Sequence, residues 1–131
     1  MTELELPDGQ GFEMLAASLR ADSADLPAFL EVLAAKLDDA LPGLVTVKRS
    51  GGIFAKRKPV AQIEVGLDDR RFTATVRGPV VDTFVAHEVR GVRLSGDAVP
   101  LDEWLGQLGQ GLNAFARRSA VGSEALRRLL G

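Results

Sequence analysis

Reactive side chains concentrate in one stretch of this chain, from Lys48 to Lys58. Lys48, Arg49, Lys56, Arg57 and Lys58 place five of the sixteen basic residues within eleven positions, and Ile53 and Phe54 sit between them. A cluster of this kind can grip an anion, whether a phosphate, an anionic lipid headgroup or an acidic protein segment, while the apolar tip adds contact area. The competing reading is a solvated hairpin connection whose Ile53 and Phe54 fold back over the edge of the core. Both readings stand on the sequence. The stretch is not a phosphate-binding P-loop, which needs a Gly-rich turn entering a helix and ending in Lys-Ser/Thr.

Other chemistry is scarce. The chain has no cysteine, which excludes disulfides, thiolate metal sites and thiol nucleophiles, and its single histidine excludes a multi-histidine metal site within one chain. His87 has no neighbouring Ser or Asp in a recognisable catalytic arrangement, and its strand phase predicts a hydrogen-bonded core histidine. Asp68-Asp69 reads as turn chemistry, and Asp102-Glu103 as first-turn acids favoured by the helix dipole. Gly106-Gln107-Leu108-Gly109 looks like the GxxG of KH domains but lies in an apolar helical repeat without basic neighbours. The sequence therefore predicts no catalytic residue, cofactor-binding residue or metal ligand. A small-ligand or enzymatic fold, with a groove under the glycines at 106, 109 and 111, is the least favoured reading; close approach of that helix to a sheet explains the glycines better.

The elements that must position the basic stretch follow from size and periodicity. With 131 residues and 46% hydrophobic content, the chain fits one compact domain that buries roughly two-thirds of its unfolded surface. Its net charge of −2 hides a segregation: residues 1–42 carry nine acidic and two basic side chains, and residues 43–93 carry ten basic and five acidic. No run of about 18 apolar residues is present, and the acidic start does not resemble a signal peptide, so a cytoplasmic protein without a transmembrane segment is expected.

Residues 1–10 read as a flexible arm, interrupted by Pro7, Asp8 and Gly9. Phe12, Leu15, Ala16 and Leu19 predict a first helix ending near Asp22. Leu26, Phe29, Leu30, Leu33, Leu37 and Leu41 predict a second over 25–41, capped by Ser23 or Asp25 and stopped by Pro42-Gly43. The period then changes to two. Val45 and Val47 form one strand, Ala61 to Leu67 a second and Phe72 to Val76 a third. A fourth strand carries Val81, Thr83, Val85, His87 and Val89 in one phase and Val92 and Leu94 in the other, reconciled by a bulge at Gly91 that brings both sets to the core. Leu101, Trp104, Leu105, Leu108, Leu112 and Phe115 line a helix over 101–119, and a short C-terminal helix occupies 120–131. The expected fold is α+β, a two-layer sandwich in the order α-α-β-β-β-β-α-α. Its four-stranded antiparallel meander has one face covered by two long helices and one face open and polar.

RSGGIFAKRKPV and PLDEWL resemble pieces of short uncharacterised proteins of high-GC Gram-positive bacteria, a resemblance that implies no activity or site. The order helix, meander, helix is also similar to that of small dimeric nucleoid-associated YbaB-type proteins, in topology alone. The function expected from the residues is a non-enzymatic protein-interaction or adaptor module. Its basic loop at 48–58 and open sheet face would engage a partner with an acidic surface, with homodimerisation as one route. A nucleic-acid or anionic-lipid binding module using the same loop is the alternative.

Overall fold

The computed structural model describes residues 10–23, 25–51 and 58–131. The elements run α1 (Gln10–Asp22), α2 (Leu26–Ala40), β1 (Val45–Arg49), β2 (Val60–Leu67), β3 (Arg70–Arg77), β4 (Val80–Val89), β5 (Val92–Ala98), α3 (Leu101–Arg118) and α4 (Ala120–Leu130). All five strands pair with their sequence neighbours in one antiparallel sheet of order β1-β2-β3-β4-β5. The α+β class thus agrees with the sequence.

Local chemistry explains where the elements start and stop. Asp25 caps α2, its Oδ1 accepting from the Ala28 N–H at 2.9 Å, with Pro27 in the first turn where its missing donor costs nothing. Ser119 ends α3 and caps α4, accepting from the Gly122 N–H at 2.9 Å. β2 turns into β3 through Asp68 at φ 50, a left-handed position that Asp tolerates. β3 turns into β4 through Gly78-Pro79, with Gly78 at φ 61.

The expected fourth strand is two strands. Arg90 and Gly91 adopt φ 55 and φ 82, the paired positive values of a tight primed hairpin turn, so the chain reverses where a bulge was expected. The register slips elsewhere: Glu88 faces Arg93 while His87 faces Ser95, leaving Leu94 as an extra residue on β5. The hairpin tip reaches beyond helical cover, and Val89, Val92 and Leu94 are 43%, 60% and 63% exposed instead of buried. His87 is also corrected. It is exposed, with Nε2 3.1 Å from Asp69 Oδ2.

The core lies between the sheet and the helices. Val60, Ile63, Val65, Leu67, Phe72 and Ala74 face Phe29, Leu33 and Leu37 of α2 and Trp104, Leu108 and Leu112 of α3. Trp104 is fully buried, stacks edge-on against Phe72 at 6.4 Å between ring centroids, and donates its indole N–H to Phe84 O at 3.2 Å. Trp104 is thus a core residue with its ring packed and its N–H satisfied. A Cβ on Gly111 would lie 3.3 Å from Leu67 and Phe72 atoms, so that glycine does let α3 approach the sheet; one on Gly106 would meet Glu13 of α1 instead. Among the described residues, α1 and α4 pack on α2 and α3 instead of on strands.

Candidate interaction site

The basic stretch joins β1 to β2 at one sheet edge. Val45 and Val47 pair with the buried Val65 and Ile63, so they face the helices, while Thr46 and Lys48 project from the open face. The ladder shifts between Lys48 and Arg49, so Arg49 pairs with Val60 and turns towards α2. There it meets Glu31. Arg49 Nη1 donates to both Glu31 carboxylate oxygens, at 3.0 and 3.3 Å, and to Lys58 O at 2.9 Å. Glu31 Oε2 also accepts from the Val60 N–H at 2.8 Å, and Ser50 N–H donates to Pro59 O at 2.9 Å. One carboxylate therefore ties α2 to both strands at the point where the connection leaves the sheet.

The electrostatics match this geometry. Burial of the Glu31 carboxyl raises its pKa, but the Val60 N–H bond, the Arg49 bond and the Arg49 charge together outweigh burial and hold it below the ordinary 4.5. Of the seven residues singled out in the sequence, the structure brings Lys48, Arg49 and Lys58 together; Ile53, Phe54, Lys56 and Arg57 lie outside the described residues. The three have different roles. Arg49 is engaged structurally, whereas the side chains of Lys48 and Lys58 are exposed and make no ion pair or hydrogen bond among the described residues.

The acidic front segment reaches this corner through Glu31. Asp39 instead pairs with Arg128 at 3.8 Å, and the Asp25 side chain caps α2. Glu3, Glu5 and Asp8 lie outside the described residues.

The open sheet face is polar as expected, but its arginines are largely neutralised. Arg71 pairs with Glu88 at 3.1 Å and Glu64 at 3.6 Å, Arg93 with Glu88 at 3.5 Å, and Arg77 with Asp82 at 2.7 Å. Phe84 lies over Gly96, where a Cβ would come within 2.6 Å of the ring, and the Arg93 guanidinium stacks 5.4 Å from the ring centroid.

Sequence reasoning missed two further arrangements. A groove of about 630 Å³ lies where α2 crosses the roots of β1 and β2, lined by Pro27, Ala28, Val32 and Pro59 together with the Glu31–Arg49 pair and Lys58. Exposed Val32, one residue away from the Leu33 stripe, was its only trace in the sequence. The second is a polar groove of about 460 Å³ between β4, β5 and α3, where Arg70, His87, Ser95, Asp97, Glu103 and Gln107 meet. These come from distant segments, and no local spacing announces them. No group of three or more His, Cys, Asp or Glu side chains placed to hold one metal ion occurs among the described residues. No helix among the described residues is long and apolar enough to cross a membrane. The chain matches no protein-family model, no curated protein and no solved structure.

Proposed function

We propose that this protein is a non-enzymatic interaction module, acting in the cytoplasm, that presents its basic β1–β2 connection to a partner with an acidic surface. The observation that supports the reading is the division of roles at the connection's root. Glu31 and Arg49 hold the root against α2, and Lys48 and Lys58 stand exposed beside it without counter-charges among the described residues. Anchoring reduces the ordering entropy lost on docking, and unpaired surface charge steers an oppositely charged partner. The paired arginines of the open face argue against a phosphate-tracking sheet, because each would have to leave a carboxylate before meeting nucleic acid.

The test compares wild-type protein with a Lys48→Glu, Lys58→Glu variant in quantitative pull-downs from the native host at physiological and high salt. Salt-sensitive partners retained by the wild type and lost by the variant support the reading; an unchanged partner set refutes it. Binding of plain DNA or anionic vesicles at low ionic strength, with no protein retained, transfers the role to the nucleic-acid or lipid alternative.

A further inference from the structure

The β1 edge and the neighbouring groove define the shape of the segment that would occupy them. Gly66 N–H donates to Leu44 O at 2.9 Å, so in the antiparallel ladder residues 44, 46 and 48 turn their backbone groups towards β2. Val45 and Val47 then turn their N–H and C=O groups outward, along the edge of the sheet. An exposed row of this kind is a template for another strand. The two faces of that template differ. On the helix side it meets Val47, Arg49 and the apolar wall of Pro27, Ala28, Val32 and Pro59. On the open side it meets Thr46 and Lys48, which has no partner among the described residues, while Lys58 lines the groove on the helix side.

We infer that the occupant is an extended acidic segment of a partner protein, added to the β1 edge with acidic and aliphatic residues in alternation. Successive residues of an added strand point to opposite faces, so its aliphatic side chains enter the groove against Val32, its carboxylates on the open face meet Lys48, and an acid at the end of the strand meets Lys58. Charge complementarity selects this edge over β5, whose Arg93 and Asp97 offer opposite signs. This assignment rests on the interaction-module reading and specifies its partner.

The test pans a displayed random-peptide library on the full chain. It then titrates the enriched peptides against wild type, Val32→Glu and the Lys48→Glu, Lys58→Glu variant, with amide exchange followed residue by residue. The expected result is enrichment of alternating acid-aliphatic sequences. Binding should weaken about tenfold or more in each variant, a loss of about 1.4 kcal/mol per tenfold, and the Val45 and Val47 amides should gain protection in the complex. Val32 is exposed, so Val32→Glu leaves the fold intact. No enrichment, a consensus lacking either residue class, or unprotected Val45 and Val47 amides overturns strand addition. If the lysine reversals abolish binding while Val32→Glu and both amides are unaffected, strand addition fails and the basic-surface reading survives. Peptides indifferent to the lysine reversals sink both.

Discussion

Removing the Glu31 carboxylate should loosen the root of the basic connection by a calculable amount. Glu31→Ala deletes an ion pair with Arg49 whose two side chains are 39% and 45% exposed, and solvent screening limits such a pair to about 0.2–1 kcal/mol. It also deletes the acceptor for the part-buried Val60 N–H at 2.8 Å. A hydrogen bond to a charged acceptor is worth about 1.5–3 kcal/mol when dry, and about 1 kcal/mol at this wetter site. The sum is about 1.5 kcal/mol. For 131 residues, an unfolding entropy of about 2.1 cal/mol/K per residue converts that to a Tm lower by about 5 °C at pH 7. A cycle with Arg49→Met, which keeps the apolar stem, should return a coupling of about 0.5 kcal/mol, leaving the remainder to Val60. The pH dependence has a definite sign. Because the folded carboxyl titrates below 4.5, its stabilisation is fully present above the unfolded value and is lost as pH falls through the folded one. Thermal melts of wild type and Glu31→Ala should differ at pH 7 and converge near pH 3. Equal Tm values at pH 7, or a difference unchanged at pH 3, would refute the clamp.

Three further substitutions probe the surrounding scaffold. Gly122→Ala should destabilise by about 2 kcal/mol or more in urea melts despite its better helix propensity, because a Cβ there would collide with the Phe115 carbonyl at the α3–α4 junction. Gly96→Ala should push the Phe84 ring off β5 and break its stacking with Arg93, costing about 1 kcal/mol and shifting the Phe84 ring protons in NMR spectra. Val92→Lys, at the exposed hairpin tip, should leave the urea midpoint within about 0.5 kcal/mol of wild type.

The helices were legible because each carries its own signals. The Leu26 to Leu41 stripe, Asp25 as cap and Pro42-Gly43 as stop located α2 closely, and the turn at Asp68-Asp69 was visible without the usual Gly. The β4–β5 hairpin was misread because Arg90-Gly91 is an uncommon pair for a primed turn, and apolar residues on either side looked like one long strand. Val92 and Leu94 carry the residue types of a core strand, yet their exposure is set by where α3 ends its cover, a tertiary fact with no local signature. The basic connection was conspicuous as composition. That Arg49 anchors while Lys48 and Lys58 have no partner among the described residues depends on Glu31, eighteen positions before Arg49 in the chain and on another element.

The extra residue at Leu94 bears on how large an assembly this chain can build. A protein with two regular sheet edges can add neighbours on both sides and grow without limit. Here the slip at Leu94 divides the β5 edge, leaving residues 95–98 as its unbroken stretch beside residues 84–87. A second chain approaching that edge would find those four residues in register, fewer than the roughly five to six of an ordinary strand, so the edge is a poor seat for stacking copies.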